Sequence, residues 1–595
     1  MAALRFMPAV SVRPSANRVR RWAAPAACLL VLAVLFTAYL RLSRTYPENS
    51  DEANILLMAS DMAHGNLYLS GWNVSDVPFI TTELPEIAVL VRLFGLHLDT
   101  AHIAAALTYT LVLATACALA AGRPGGGQRR CVPIRLAVTV AVLLAPQPGV
   151  GVFVLLFSVG HIGTAVPVML TWLLLDRCWP RPGQPAGAWY LPVTAGVLLA
   201  WALMADPLVL VIGVVPVLAV TAVRLVPALR TPKTTHIIPN GGGLPLTRQR
   251  LAGRWPELSL AAAAGAACLA AWCGQRLLHA AGGYTQQPVP FGLDPVSTWY
   301  PHARIAAHGL LEMFGAFFIP GNAVNYLAPG DYVAAPPLAG IAEAVAVTRL
   351  ACVAAAAAAA AVTARRFFRP GADLVNQLLL AGIVANLAAY IPSSLADHTA
   401  LNAREFAPVL PFAAVLAART LSDPLAAWLR ARRGPLRRGR RLVAGALTAL
   451  LCWYGFGLWH ETQIPAAPDP YPKLEAFLIA HHLHFGVGGY WDASVITVGT
   501  GGAVTVRAVT ARCLQPYNWE SKPAWYDPAG PPATFVLSSA GPGFFTRWLP
   551  SAVALRGLGR LLPAASPPLL NPGAGYQVHV YQGNVLAAAP SLARC

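Results

Sequence analysis

Charged side chains are scarce in this sequence. Only 11% of its 595 residues are Asp, Glu, Lys or Arg, whereas 56% are hydrophobic. A soluble protein of this size needs much more charge on its surface, so the composition excludes that class. The mean hydropathy of +0.54 agrees with this exclusion. We therefore predict an all-α membrane protein that crosses the bilayer many times.

Acidic residues are fewer than basic ones, 25 against 43, and the formal net charge is +18. Such an excess can indicate nucleic-acid binding, but nucleic-acid-binding domains carry Lys and Arg throughout their folded parts. Here the Arg clusters lie between long apolar runs, where membrane topology places them. We expect no nucleic-acid partner.

The sequence also lacks a phosphate loop. The glycine-rich segment GRPGGGQRR at residues 122–130 has no Lys-Ser or Lys-Thr ending. The segment GTGGAV at residues 499–504 is typical of a hairpin turn instead. No nucleotide-binding site is predicted.

Apolar runs long enough to cross a membrane recur along the chain. From them we predict about eleven transmembrane helices. Their limits are residues 23–40, 101–121, 132–148, 151–176, 188–204, 207–227, 257–279, 339–363, 373–393, 404–421 and 441–459. The boundary at Asp206 and Pro207 is open, because the segment MADPLVL could also be a break within one long span.

Arginine clusters give the orientation. Arg18, Arg20 and Arg21 precede the first span, which predicts a cytoplasmic N-terminus. Later clusters fall on the same side when the spans are counted, and an odd number of spans leaves the C-terminus outside. The long first apolar run has no clear cleavage site, so it favours a retained helix over a secretion signal. The abundance of Ala, Pro, Gly and Arg is typical of a high-GC bacterial genome, so we expect a bacterial plasma-membrane protein.

We divide the chain into a cytoplasmic segment at 1–22, a transmembrane domain at 23–459 and an extracytoplasmic C-terminal domain at 460–595. The transmembrane domain includes a first external loop at 41–100. In the tail, SVITVGTGGAVTVRAV predicts a β-hairpin that turns at residues 500–502, and ATFVLSS and YQVHVYQ predict further strands. We expect a small α/β domain there.

The tail contains two of the ten cysteines, Cys513 and Cys595. The other eight lie in or beside the apolar spans, where a thiol behaves as a small hydrophobic group. An oxidising exterior permits a disulfide between Cys513 and Cys595.

Acids concentrate in the first external loop, in NSDEANILLMASDMAHGNLYLSGW at residues 49–72. Asn49 and Glu52 have the spacing of a helix cap and its capping-box partner, and Gly65 supplies a stop. Asp51 would lie in the first turn, where free N–H groups stabilise a carboxylate. The segment therefore predicts a short amphipathic helix on the outer membrane surface. Its apolar face would consist of Ile55, Met58, Ala59 and Met62.

A carboxylate in that place can simply solvate a loop. It also suits chemistry on a sugar held by a lipid phosphate, because it can deprotonate or orient an incoming hydroxyl. The departing phosphate then needs a cationic partner. Arg404 in ALNAREFAPVLPF is a candidate, with Asn402 beside it, although an Arg at that depth is also a common interfacial anchor.

Four segments carry a family resemblance: DEANILLMASDMAHGNLYLSGWNVSDVPFITTELPE, NAREFAPVLPFAAVLAAR, GYWDASVITV and PATFVLS. They resemble actinobacterial multi-spanning membrane proteins of the GT-C glycosyltransferase type. That superfamily is similar in layout to protein O-mannosyltransferases and lipid A aminoarabinose transferases.

The resemblance implies a sugar donor linked to polyprenyl phosphate, an acceptor glycan, protein or lipid, and a catalytic acid in the first external loop. On this sequence the acid is Asp51, with Glu52 as its neighbour and possible substitute. The residues that bind the donor phosphate would be Arg404 and Asn402. No second acidic motif for a metal is evident, so no cofactor is assigned and a divalent metal stays open.

Other side chains are candidate contacts with substrate, each with a plainer alternative. On a regular helix Asp61 lies about 15 Å from Asp51, too far to act on the same bond, so it would contact the acceptor or solvate the helix. Trp72 would stack on a sugar or anchor the chain at the interface. The remaining candidates are His64, Asp76, Glu83 and His398.

Two other classes fit a polytopic chain. A transporter or lipid flippase should have ionisable residues within its spans. Here the spans are nearly free of charge except at their ends, with Asp206 and Glu343 as partial exceptions. A non-catalytic scaffold would tolerate the loss of Asp51. We predict a glycosyltransferase that acts at the outer membrane face, with the transporter or flippase as the alternative.

Overall fold

The computed structural model of the protein describes most of the chain. The described residues are 16–123, 131–157, 160–179, 190–230, 254–289, 291–318, 324–328, 331–334, 340–396, 400–430, 436–539, 548–565, 569–570 and 575–592.

The first part of the chain is a bundle of helices. They are α1 (Ala16–Ser43), α2 (Ser50–Ala63), α3 (Glu83–Phe94), α4 (Asp99–Ala121), α5 (Val132–Leu143), α6 (Val150–Leu155), α7 (Ala165–Cys178), α8 (Tyr190–Ala205), α9 (Val215–Arg230), α10 (Trp255–Ala280), α11 (Val296–Met313), α12 (Ile341–Arg366), α13 (Leu374–Tyr390), α14 (Val409–Arg430) and α15 (Leu436–Glu461). A π-helical turn, Leu210–Val214, leads into α9, and a 3₁₀ helix, Ala400–Phe406, precedes α14.

Several of these helices have the character of membrane spans. Among the described residues, four are long and apolar enough to cross a bilayer: Pro25–Ser43, Asp99–Ala121, Trp255–Ala280 and Ile341–Arg366. Shorter apolar helices accompany them at Val132–Leu143, Tyr190–Ala205, Leu210–Val226, Leu374–Tyr390 and Val409–Ser422. Leu29 and Leu269 point outward and are 67% and 62% exposed, as a surface facing lipid requires. The total of eleven spans stays a prediction.

One predicted span takes a different form. The fourth, at residues 151–176, is not one helix, because α6 ends at Leu155 and α7 begins at Ala165. At Asp206, where the sequence leaves the boundary open, the chain forms two helices with a break between them. The carboxylate of Asp206 accepts the N–H of Leu208 at 2.8 Å and so closes a turn that interrupts the helical hydrogen bonds.

The chain after α15 forms a five-stranded mixed sheet with helices. The earlier short strands are β1 (Asn73–Val74), β2 (Thr285–Gln286), β3 (Val324–Ala328) and β4 (Asp331–Ala334), and those of the tail are β5 (Phe485–Gly488), β6 (Thr505–Ala508), β7 (Phe535–Ser539), β8 (Leu569–Leu570) and β9 (Tyr576–Val580). The tail strands lie in the order β6-β5-β7-β9-β8, with β5 parallel to β6 and β7 and the remaining pairs antiparallel. The tail helices are α16 (Pro472–Ala480), α17 (Tyr490–Gly499), α18 (Ala552–Gly559) and α19 (Val585–Ala588).

The predicted hairpin at residues 494–509 is wrong in its first half. The segment SVITVG belongs to α17, which connects the parallel strands β5 and β6. Parallel neighbours need such a crossover. Val495, Ile496 and Val498 are all buried, so the helix is apolar on most sides and its β-branched residues imitate a strand. The strands predicted in ATFVLSS and YQVHVYQ are present as β7 and β9.

Helix α2 begins as the sequence predicts. The side chain of Asn49 accepts the N–H of Asp51 at 2.9 Å, and Glu52 accepts the N–H of Asn49 at 3.4 Å. The helix ends at Ala63, and Gly65 follows in the left-handed region with a φ of +105°.

The apolar face of α2 lies against protein, which corrects the prediction of a helix resting on the membrane surface. Ile55, Met58 and Ala59 are buried in a core that also contains Ile496 of α17. An amphipathic pattern records that one face is apolar, and a folded segment far along the chain satisfies it as well as lipid does. The first loop and the tail are further joined at Asn73 and Ser521, which exchange backbone hydrogen bonds of 2.7 and 3.0 Å.

Candidate active site

Asp51 and Arg404 meet where α2 approaches the 3₁₀ helix that precedes α14. The Nη1 atom of Arg404 lies 3.7 Å from Oδ2 of Asp51. Both side chains are partly exposed, 33% for the arginine and 18% for the aspartate. The two residues that the sequence singles out are therefore neighbours.

The tail contributes two side chains to Asp51. The hydroxyl of Tyr490 donates to Oδ1 of Asp51 at 2.7 Å and lies 3.0 Å from Oε2 of Glu520. The amide of Asn54 donates to the same Glu520 oxygen at 3.3 Å. Burial, with the charge of Asp51 as the second cause, raises the pKa of Glu520 to about 8. A protonated Glu520 can donate to the tyrosine oxygen while the tyrosine donates to Asp51.

A series of charged side chains extends from Arg404. Its Nε atom lies 3.6 Å from one carboxylate oxygen of Glu405. The other oxygen of Glu405 lies 3.2 Å from Nε2 of His161, and Nδ1 of that ring lies 2.7 Å from Oδ2 of Asp206. Asp206 lies in the break after α8, and His161 lies between α6 and α7. Both interruptions of helix therefore contribute a side chain to the site.

Two of the predicted acids lie beside this series of charged side chains. Burial and the negative charge of Glu405 raise the pKa of Asp76, against the opposing effect of His161. Glu83 is buried at the start of α3 beside Gly163, where a Cβ would lie 2.1 Å from a Glu83 oxygen. Burial raises the pKa of Glu83 to about 7. A residue larger than glycine at position 163 would displace this carboxylate.

Glu52 and Asn402 have local partners. Glu52 is 2% exposed, and its carboxylate caps the helix, as the capping box requires. The side-chain amide of Asn402 donates to the carbonyl of Leu395 at 3.1 Å, which holds the chain before the 3₁₀ helix. Neither contact involves Asp51 or Arg404.

Asp61 and Trp72 form a polar cluster with the tail. The carboxylate of Asp61 lies 2.7 Å from Nζ of Lys522 and accepts the indole N–H of Trp72 at 2.8 Å. The ring of Trp72 is 2% exposed and packs edge to face against Trp525. Burial alone would raise the pKa of Asp61, but the hydrogen bonds from Lys522, Trp72 and Asn66 lower it overall. These contacts fasten the first loop to the tail.

The remaining predicted residues lie apart from this cluster or outside the described residues. His64 is exposed just after the end of α2, and its Nδ1 lies 2.7 Å from the carbonyl oxygen of Ser60. His398 and Cys595 fall outside the described residues. Cys513 is disulfide-bonded.

Sequence reasoning did not assign roles to five residues of the site: His161, Asp206, Glu405, Tyr490 and Glu520. Two of them had visible signals, since Glu405 adjoins Arg404 in NAREF and Tyr490 lies in the quoted segment GYWDASVITV. Within the described ranges, no group of three or more His, Cys, Asp and Glu residues has an arrangement that could hold a metal ion.

The structure resembles two solved structures of ArnT from Cupriavidus metallidurans. The one bound to undecaprenyl phosphate aligns with 95% of this chain and 99% of its own, at 12% identity and a TM-score of 0.51. The apo structure aligns over the same shares at 13% identity, with a TM-score of 0.52. This chain therefore shares the GT-C-type fold of these structures. The GT-C fold and the apolar helices together make it a multi-pass membrane protein.

The GT-C likeness is visible in three dimensions and not in the sequence comparisons. No family model matches the sequence, and the comparison with curated proteins finds no match. An oligosaccharyltransferase from Archaeoglobus fulgidus aligns with 86% of this chain and 69% of its own at 12% identity and a TM-score of 0.40.

Proposed function

We propose that this protein is a membrane glycosyltransferase that moves a sugar from a polyprenyl-phosphate donor to an acceptor hydroxyl. The observation that carries the proposal is the 3.7 Å approach of Arg404 to Asp51 within a GT-C fold. A carboxylate and a guanidinium, both partly exposed, supply the two charges that this reaction needs. The ArnT structure solved with undecaprenyl phosphate supports a donor of the same lipid class.

In the proposed reaction Asp51 is the base. Its carboxylate takes the proton of the acceptor hydroxyl as that oxygen forms a bond to the anomeric carbon of the sugar. The bond between the anomeric carbon and the phosphate oxygen breaks, and its electron pair leaves with the polyprenyl phosphate. Arg404 stabilises the negative charge that develops on this leaving group. No redox step or further reactant is required.

The neighbours of Asp51 suit this role. Tyr490 donates to one oxygen of the carboxylate, which fixes its orientation and leaves lone pairs of the carboxylate for the acceptor hydroxyl. Asp76 interacts electrostatically with Glu405 and His161, and Glu83 with Asp206 and His161, and we assign both acids to the acceptor side of the site. Asp61 and Trp72 are assigned to loop structure, because each has its partners within the cluster at Lys522.

We place the reaction on the outer face of a bacterial plasma membrane. The positive clusters between the apolar runs support a cytoplasmic N-terminus and an extracytoplasmic tail. The same division assigns residues 1–22 to the cytoplasm, 23–459 to the membrane domain and 460–595 to the outer domain. A lipid-linked donor agrees with the absence of a phosphate loop in the sequence.

A reconstitution experiment tests the proposal. The full chain in lipid vesicles is supplied with a panel of polyprenyl-phosphate sugars, and release of polyprenyl phosphate is measured alongside sugar transfer. We expect turnover by the wild-type protein and by Asp527→Asn, a control in an exposed tail aspartate, and loss of turnover in Asp51→Asn. The Asp51→Asn protein should keep its thermal unfolding temperature.

The same vesicles discriminate between the alternatives. Movement of the lipid across the bilayer without cleavage would contradict the proposal in favour of a transporter or flippase. Equal behaviour of wild type and Asp51→Asn in every assay would favour a scaffold.

A further inference from the structure

His161 lies between two carboxylates and has contacts that the proposed reaction does not use. The side chain is 9% exposed, with Nδ1 2.7 Å from Asp206 and Nε2 3.2 Å from Glu405. Asp206 is itself fixed, because it accepts the hydroxyl of Thr164 at 2.5 Å and the N–H of Leu208 at 2.8 Å. The histidine is therefore attached to a rigid point at the end of α8.

The geometry suits a charged ring. A carboxylate oxygen only accepts hydrogen bonds, whereas a neutral imidazole has one nitrogen that donates and one that accepts. With an ionised carboxylate next to each nitrogen, both nitrogens donate, so we assign the ring of His161 as an imidazolium cation. Asp206, Glu405 and the imidazolium of His161 form a network. Because it has two carboxylates and one cation, its net charge is negative before Arg404 is counted.

Glu405 is the shared member of this network. One of its oxygens approaches Arg404 at 3.6 Å, and the other approaches His161 at 3.2 Å. One oxygen of the Glu405 carboxylate is therefore paired with the histidine instead of the guanidinium. Without that competition, Glu405 would pair with Arg404 through both oxygens, as arginine and carboxylate groups prefer.

We infer that His161 is a positioning residue for the donor phosphate, because its cationic ring shares Glu405 with Arg404 and keeps the guanidinium available to the phosphate. This inference rests on the proposed function. It assigns His161 no contact with the substrate. Its effect should therefore appear in the affinity for the donor phosphate.

The cationic state of the ring also makes donor binding depend on pH. The acidic groups that face His161 are Asp206, Glu405, Asp76 and Glu83, and the ring of Phe79 lies 6.3 Å from the histidine ring. Donor binding should weaken as rising pH removes the proton from His161. An arginine at this position would keep its charge, so His161→Arg should flatten that dependence.

The test is binding of undecaprenyl phosphate to the full-length protein in lipid nanodiscs. We expect His161→Gln to bind about tenfold more weakly than the wild type, a change of about 1.4 kcal/mol. His161→Arg should recover part of the loss. His302→Gln, which removes another buried histidine, is the matched control and should bind like the wild type.

A double-mutant cycle separates this role from a merely structural one. In a Glu405→Gln background there is no carboxylate for His161 to hold back from Arg404, so His161→Gln should then have little further effect. Equal losses in both backgrounds, or equal binding by wild type and His161→Gln, would overturn the inference. If His161→Gln unfolds, the pH profiles of the wild type and Glu405→Gln give the same answer, because only the first should depend on pH in this way.

The binding assay keeps the two proposals apart. Weaker binding in His161→Gln, without cleavage of any donor by the wild type, would contradict the proposed function and uphold the role of His161 in phosphate binding. Cleavage by the wild type with unchanged binding in His161→Gln would uphold the proposed function and contradict the role of His161 in phosphate binding.

Discussion

The hydroxyl of Tyr490 and the carboxylate of Asp51 are joined by a hydrogen bond of 2.7 Å, although 439 positions separate them in the sequence. The same hydroxyl is 3.0 Å from Glu520. The tail therefore supplies part of the environment of Asp51, and the site is incomplete without it.

Removal of the Tyr490 hydroxyl should slow the reaction. In Tyr490→Phe the carboxylate of Asp51 loses its orienting donor, and we expect kcat to fall about tenfold, as loss of about 1.4 kcal/mol of hydrogen-bond stabilisation gives. Steady-state kinetics in vesicles measures this. The matched control is Tyr526→Phe, which loses a buried hydroxyl that donates to the carbonyl of Ala508 at 2.7 Å, outside the site. Equal effects of the two variants would contradict the assignment.

Glu520 should make stability depend on pH. Its pKa is about 8 in the folded protein, against a usual value of 4.5. Between these values the folded state holds a proton that the unfolded state has lost, so the free energy of unfolding decreases as pH rises from about 4.5 to about 8 and is level above. Glu520→Gln mimics the protonated acid and should lack this decrease.

Thermal unfolding between pH 5 and pH 9 measures the effect of Glu520. The unfolding temperature of Glu520→Gln minus that of the wild type should increase with pH up to about 8. The exposed Asp527→Asn variant should show no such trend. A constant difference for Glu520→Gln across the range would show that Glu520 does not hold the extra proton.

Asp61 should matter for stability and not for the chemical step. Its 2.7 Å ion pair with Lys522 and its bond to Trp72 join the first loop to the tail. With both charged groups between a fifth and a third exposed, we expect Asp61→Asn to cost about 1 kcal/mol of stability and leave kcat within about twofold. Chemical denaturation and kinetics on the same sample test this. A large fall in kcat at unchanged stability would instead indicate that Asp61 contacts the substrate.

Arg404 should dominate the binding of the phosphate. Arg404→Ala removes the only cation paired with Asp51 in the described part of the chain, and we expect kcat/KM to fall by about 10² to 10³. Arg404→Lys should recover only part of this, because a lysine cannot reproduce the forked guanidinium. Arg276→Ala, an exposed arginine on α10, is the control. Wild-type kcat/KM in Arg404→Ala would contradict the assignment.

Local signals in the sequence were enough for some elements. The capping box at Asn49 and Glu52, the breaks at Gly65 and Asp206 and the strands β7 and β9 depend on residues a few positions apart, so a linear pattern records them. Helix α17 was mistaken for a strand because burial on most sides removes the helical period from its apolar residues.

Distant contacts needed the fold. The sequence could suggest Asp51 and Arg404 separately, from an acid in a loop and a cation at the end of a span. It could not show that Glu520 and Tyr490 would approach Asp51, since neither residue has a neighbouring motif that points to the first loop. The burial of α2 under the tail was hidden for the same reason, because an apolar face looks alike whether lipid or protein covers it.

A single-turnover measurement tests the central claim most directly. Purified wild-type and Asp51→Asn proteins are each saturated with a polyprenyl-phosphate sugar and acceptor, and cleavage of the bond between sugar and phosphate is followed with time. We predict that both proteins bind the donor and that Asp51→Asn cleaves it at least about 10²-fold more slowly. Cleavage at the same rate by both proteins would contradict the account.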